Sequence, residues 1–327
     1  MANAEGHTWE FKARFRRSSF GWRSQPAIQR VKEAVSEIKK VARREPVLAA
    51  DGAVTFLERL SPALERVDSS SGAIGTAVNH AISEVVPIIA GAPANVQVRE
   101  LWLERLWAAH EADRIPYIER LADAWGQLCA SKEVASTWAD LLVGSTQMAL
   151  SPDRALRGYF HGTSACLSAL YRAERYEEII ELLRAEAFWP YKRWGVKALG
   201  ALGETSEAIR CAECCRGPWA ADADVDATCE EILLSSGQVE EAQVEEAYQR
   251  YGLRAKGGWN LSLDLPERGQ EIPAQARPCG PGRLGGGHAG KRGQVVCRSK
   301  GGRPLRRGAR SREPHPLRPQ DAHPRRA

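Results

Sequence analysis

From Ile28 to about position 254, apolar side chains recur at three- and four-residue steps. Nowhere in that span do apolar and polar residues alternate strictly, as a half-buried strand needs. This spacing restricts the chain to helices that pack stripe against stripe. Ile28, Val31, Ala34, Val35, Ile38 and Val41 mark one amphipathic helix over about 26–43. Val54, Leu57, Leu60 and Leu64 mark a second, with Pro62 near its end, where proline distorts or interrupts a helix. Asp68, Ser69, Ser70 and Ser71 offer capping oxygens ahead of a third stripe, Ile74, Val78, Ile82, Val85 and Ile89, which holds Pro87 near its end and stops at Gly91-Ala92-Pro93. Further helices are predicted over about 96–110, with Leu101, Leu103, Leu106 and Trp107 as the bulky face, then over 117–129 and 133–143.

From Thr163 the pattern becomes repetitive. Leu167, Leu170 and Tyr171 precede a turn at Arg175-Tyr176 and the run Glu177 to Leu183. The same helix, turn, helix order returns in Val196 to Gly203 followed by Ser206 to Ile209, and in Ile232 to Gly237 followed by Val239 to Ala242. The matching glutamates, Glu178, Glu207 and Glu241, lie 29 and 34 residues apart. This resembles the tetratricopeptide repeat, whose period is about 34, although no copy holds the full consensus. The expected fold class is all-α, a right-handed array of antiparallel helix hairpins of α-solenoid type, followed by a disordered tail. Four segments are expected: a partly ordered lead over 1–24, a helical domain over 25–150, tetratricopeptide-like repeats over 151–255, and the tail over 256–327.

Residues 14–254 also resemble an uncharacterised family of bacterial helical-repeat proteins. The segments that carry the resemblance are Phe20 to Arg30, Val67 to Gly75, Ile115 to Glu119 and Arg193 to Leu199. The resemblance implies the helical fold and brings no catalytic residue.

The tail changes character. Its 72 residues hold 13 Gly and 9 Pro with almost no apolar periodicity, so it cannot bury enough surface to offset its ordering entropy. It carries 16 Lys and Arg against 5 Asp and Glu, leaving 30 against 36 for residues 1–255. The net charge of +5 is therefore a property of the tail, and the body is mildly acidic. Codons can be chosen for Trp259 to Gln275, and again for Cys279 to Gly302, that read one base later as further segments of the helical family. The tail is accordingly read as out of frame, with Arg306, Arg307, Arg310 and Arg312 as by-products. A genuine basic tail would instead bind nucleic acid non-specifically.

No apolar run approaches the roughly 18 to 20 residues of a membrane span, the nearest being 85–92. Met1 to Ser24 lacks the apolar stretch of a secretory signal, so the expected location is the cytoplasm. The eight cysteines lack a disulfide framework and are read as reduced thiols, Cys129 and Cys166 among them as small hydrophobes.

Candidate chemistry is sparse. Cys211, Cys214 and Cys215, with Cys229 beyond, supply four sulfurs for a tetrahedral metal, but they lie on helices and a second CxxC is missing, so packing is the preferred reading. His80, His110 and His161 fall in separate elements without a ligand partner, and His110-Glu111 lacks the second histidine of a helical zinc-protease motif. The Ser and Cys after His161 sit on no nucleophile elbow, and Gly72 to Thr76 lacks the lysine of a phosphate loop. No cofactor is implied. The most suggestive surface is Phe188 to Trp194, where Trp189, Tyr191, Lys192, Arg193 and Trp194 set flat rings beside two cations at a helix start. That chemistry suits a peptide carboxylate or acidic segment. The leading expectation is a non-catalytic protein-binding or scaffolding role with another protein or peptide as partner. The alternatives are an enzyme that gathers His110, Glu119 and Asp123 in a pocket, and nucleic-acid binding through the tail.

Overall fold

The computed structural model describes residues 7–153, 155, 157–217, 220–235 and 251. Among them the chain forms twelve α-helices and one 3-10 turn, with no strand beyond an isolated bridge between Gly217 and Ala220. The body is all-α.

Three long helices make the first layer. α1 (Glu10–Arg14) precedes them, and α2 (Ser24–Ala42), α3 (Pro46–Leu64) and α4 (Ala73–Gly91) then pack against one another. Pro46 opens α3, where its missing N–H is harmless. Pro62 lies inside α3 without ending it, and its carbonyl accepts the Ser18 N–H at 2.8 Å. The segment ahead of α4 caps less than its sequence promised. Asp68 Oδ1 accepts from Ser70 N at 3.0 Å instead, and the N-cap residue is Gly72 at φ +71°. By length and composition α4 is apolar enough to cross a membrane, although its unbroken apolar run covers only about 85–92. Its Ile74, Val78, Ile82, Val85 and Ile89 are buried, and the helix packs on α2 and α3.

The lead contributes to this core. Phe11 and Phe15 meet Phe56 of α3 edge-on, with ring centroids 5.8 and 5.3 Å apart, and Trp9 is buried beside them. Glu37 holds the lead in place by accepting the backbone N–H groups of Glu10 at 2.7 Å and Phe11 at 3.2 Å.

α5 (Val96–Glu111) is capped by Asn95 and packs on α3. Arg105 fastens the two helices, reaching Asp51 at 2.7 Å and Glu58 at 2.6 Å. The helix expected over 117–129 is instead a 3-10 turn (Glu119–Ala124) followed by the short α6 (Trp125–Cys129). Asp113 draws the chain aside before the turn by accepting Ile118 N–H at 2.8 Å, and Ala130 at φ +63° ends α6. α7 (Lys132–Ala149) runs past the expected stop at 143, because Gly144 faces open space and nothing there breaks the helix.

Beyond it come α8 (Thr163–Arg172), α9 (Tyr176–Leu182), α10 (Trp189–Ala201), α11 (Thr205–Cys214) and α12 (Asp222–Ser235). α8 with α9 and α10 with α11 form hairpins, while α8 packs on α10 and α10 on α12. Stacking of the leading helices is how tandem helix pairs build a continuous core. The second helix of the third unit, expected near Val239 to Ala242, lies outside the described residues. So does the whole of 256–327, with its out-of-frame reading.

One core cluster runs from Trp9 to Ala198 and crosses the expected boundary at 150 without interruption. A smaller cluster, built on Trp189, Val196, Ala208, Val225 and Cys229, lies between α10, α11 and α12.

Candidate functional site

α10 supplies the centre of the site. Pro190 sits in its first turn, where the fixed φ suits a helix start, and the spacing of Tyr191, Trp194 and Ala198 turns one face toward the main core. Trp194 is 8 % exposed and touches Tyr171 of α8 at a centroid distance of 5.7 Å. Its indole N–H is buried and has no acceptor. Two cations lie near its ring, Arg193 and Lys197, each 5.8 Å from the centroid. Such contacts contribute about 0.5–1 kcal/mol at partly exposed sites.

Trp194 and Lys197 line a hollow of about 620 Å³ that also takes in Pro87 of α4, Gln127 of α6, and Tyr171, Arg172, Glu174 and Tyr176. A second hollow of about 400 Å³ shares Pro87, Asp123, Ala124 and Gln127 with the first and adds Arg120 and Arg193. The two hollows therefore adjoin along these four residues and together make up a groove across α4, the 3-10 turn, α6, α8 and α10. Its aromatic floor is Tyr171, Tyr176 and Trp194. Its cations, Arg120, Arg172, Arg193 and Lys197, outnumber its carboxylates, Asp123 and Glu174. Arg193 pairs with Asp123 at 2.6 Å, Lys197 with Glu231 at 2.7 Å, and Arg172 donates to the Ala130 carbonyl. Glu174 is held by Lys132. Burial pushes the Tyr171 phenol above its usual pKa, so the floor stays uncharged.

The five residues singled out in the sequence separate. Arg193 and Trp194 reach the groove. Trp189, 3 % exposed, belongs to the smaller core. Tyr191 packs half-buried against the main core, where burial raises its pKa. Lys192 donates to the Leu183 carbonyl at 2.9 Å and so caps the end of α9.

The cysteines separate as well. Cys211 and Cys215 lie one turn apart, half-buried and in mutual contact, and burial raises both thiols. Cys214 points to solvent and Cys229 is buried in the smaller core. Among the described residues no group of three or more His, Cys, Asp or Glu is gathered so as to hold a metal ion. Burial pushes Cys129 up to about 12 and Cys166 up to about 11, the behaviour of packing residues rather than nucleophiles.

His110, Glu119 and Asp123 do not converge. Asp123 is in the groove, Glu119 is exposed, and His110 lies buried at the end of α5, lining neither hollow. What the sequence did not reveal is that His110 meets His161, 51 positions away, with ring centroids 5.2 Å apart. Trp107 stacks on His161 at 5.9 Å, and Trp107, Trp125 and Trp138 continue the cluster. Burial lowers the His110 pKa, opposed by the contact from its Nε2 to the His161 carbonyl at 3.4 Å. Neither histidine had a neighbour at ligand spacing, so no local signal marked the pair. No family model matches the chain, and no curated protein or solved structure matches it.

Proposed function

We propose that this chain is a non-catalytic helical-repeat protein that holds an acidic segment of a partner protein in the groove around Trp194. The observation that carries this reading is the groove itself, in which three aromatic rings form the floor and four cations face two carboxylates. Flat rings give apolar contact at little entropic cost, and guanidinium groups match the planar fork of a carboxylate. Both hollows open to solvent, which suits a chain laid across them more than a small enclosed molecule. The resemblance to a helical-repeat family supports the array and adds nothing about the ligand.

The test is fluorescence anisotropy of a labelled extended peptide bearing alternating Glu and Gly residues, with a Lys-for-Glu peptide as control. Arg172→Gln combined with Lys197→Gln is expected to weaken the acidic peptide about tenfold while circular dichroism stays unchanged. Equal affinity of the two peptides for the parent protein, or an unchanged affinity in the double variant, would overturn the reading.

A further inference from the structure

His110 and His161 come from elements 51 positions apart and meet with ring centroids 5.2 Å apart. His110 is buried in the last turn of α5, whereas His161 is half-buried on the connection between α7 and α8. That connection lies directly on α5. Trp107 stacks on the His161 ring at 5.9 Å, Phe160 packs beside it at 5.7 Å, and a Cβ added to Gly162 would stand 2.7 Å from Trp107. Upstream, Arg157 ties the chain to Glu186. Downstream, the N–H and Oγ1 of Thr163 both donate to the Phe160 carbonyl, at 3.1 and 2.7 Å, where α8 begins. Residues 158–162 therefore form a short strap held at both ends.

The closed strap suits uncharged imidazoles. The contact from His110 Nε2 to the His161 carbonyl, at 3.4 Å, assigns the ring proton to Nε2 and leaves Nδ1 a bare lone pair. Nδ1 of His110 and Nε2 of His161 are both buried without a hydrogen-bond partner among the described residues. A charged ring at either position would hold a buried N–H with no acceptor, and two charged rings this close would also repel. Two carboxylates favour a charge on His110: Glu111, exposed at the end of its own helix, and Asp113, which is engaged by the Ser61 hydroxyl of α3 and the Ile118 N–H. Other neighbours are neutral or turned elsewhere. α6 and α7 bring Trp125 and Trp138 against Trp107, Tyr191 of α10 faces Thr163 and Tyr159, and Glu119 faces Tyr159. Burial outweighs the two carboxylates and holds His110 below its ordinary value of 6.5.

We infer that the His110–His161 contact is an acid-released latch: on acidification His161 swings into solvent and the strap lifts off Trp107, while α5, α6 and α7 stay packed. His161 is the member that moves, because it sits on the strap, whereas His110 belongs to a helix anchored in the core by Trp102, Leu103 and Leu106. Lifting the strap admits water to His110, and the open form then takes up a proton that the closed form refuses. With an open-state pKa near 6.5, the open population rises about tenfold between about pH 7.5 and about pH 5.5. The surface uncovered is aromatic, Trp107 with Trp125 and Trp138 behind it.

Hydrogen exchange of the full chain, resolved by mass spectrometry and corrected for the intrinsic pH dependence of exchange, tests the latch. The reporters are the Thr163 and Cys166 amides, bonded to the Phe160 and Gly162 carbonyls. Their protection is expected to fall about tenfold from about pH 7.5 to about pH 5.5, while peptides from α5 and α7 keep theirs. His110→Phe combined with His161→Phe keeps two rings in the cluster and removes both titrating groups, so the fall should vanish. His110→Gln with His161→Gln, a second route to the same loss of charge, should behave alike. His80→Gln, on α4, should leave the fall intact. The inference is overturned by protection at Thr163 and Cys166 that changes less than about twofold over that range. It is equally overturned by a folded double variant that retains the fall, or by α5 and α7 opening in step with the strap, which would make the event global unfolding.

Discussion

Replacing Gly126 by alanine is expected to destabilise the body by about 2–3 kcal/mol. Gly126 lies in α6 where that helix meets α8, and an added Cβ would stand 2.2 Å from the Ser168 carbonyl oxygen, 2.9 Å from its carbon and 2.8 Å from Arg172 Cβ. The nearest is a backbone atom, and Arg172 Cβ is fixed to its own backbone, so no rotamer change relieves the clash. Ordinary contact begins near 3.4 Å, and the two helices must therefore part by about 1 Å. That movement stretches the bonds from Gly126 N–H to Ser168 Oγ, at 3.0 Å, and from Ser168 Oγ to the Asp123 carbonyl, at 2.8 Å. It also loosens Trp125 and Cys166, both fully buried. Overpacking costs about 1–3 kcal/mol and a lost buried hydrogen bond about 1 more, while alanine recovers about 0.5–1 as a better helix former. At about 2–4 °C per kcal/mol for a domain of this size, Tm should fall by roughly 5–10 °C. Urea unfolding followed by far-UV circular dichroism measures the change. Gly144→Ala is the companion, since a Cβ there meets nothing within 4 Å, and it should gain about 0.5–1 kcal/mol. A Gly126→Ala protein as stable as its parent, or a loss in Gly144→Ala, would refute the close-approach argument.

Other outcomes follow from the packing. Because the folded His110 pKa is depressed from 6.5, the unfolded chain binds the extra proton first on acidification; stability should fall as pH drops below about 6.5, levelling once the folded histidine also protonates. His110→Phe should flatten that part of the urea midpoint against pH curve, and an unaltered slope would exclude the buried imidazole as its source. Arg99, buried, donates to the carbonyls of Ile89 and Ala92 at 2.7 Å and of Leu128 at 3.3 Å, so Arg99→Ala should cost about 3 kcal/mol in chemical denaturation, with Arg99→Lys recovering part of it. Removing residues 1–15 takes Trp9, Phe11 and Phe15 from the core, each worth about 3–5 kcal/mol on truncation to alanine. The shortened chain should bind a hydrophobic dye and lose its cooperative melt, whereas a sharp transition would show the lead to be dispensable.

The long helices were legible because their stripes span three or more turns. Val31, Ala34, Val35 and Ile38 of α2 and Ile74, Val78, Ile82 and Val85 of α4 are buried as their spacing implied. Periodicity failed over 117–129, since a 3-10 turn and an α-helix share the i, i+3 neighbours that make the pattern, and the deciding contact comes from Asp113. It failed at Gly144 for the opposite reason, as a glycine facing solvent costs too little to end a helix. In the groove, Arg193 and Trp194 were visible as an aromatic and cationic run. Arg120, Asp123 and Arg172 were not, because each arrives from another element and nothing local distinguishes it from an ordinary surface charge.

α10 is a wall shared between two rooms. Trp189 and Val196 face the smaller core, while Trp194 and Ala198 face the larger. The large core has many elements to hold it, but the small one depends on α10, α11 and α12, and its opening is the lower-energy event. When it opens, α10 keeps its grip on α8 and loses its backing. Trp194 then sits on a helix braced from one side only, and Lys197 loses its partner Glu231 on α12, so whatever tightens or loosens α11 and α12 is felt in the lining of the groove through α10.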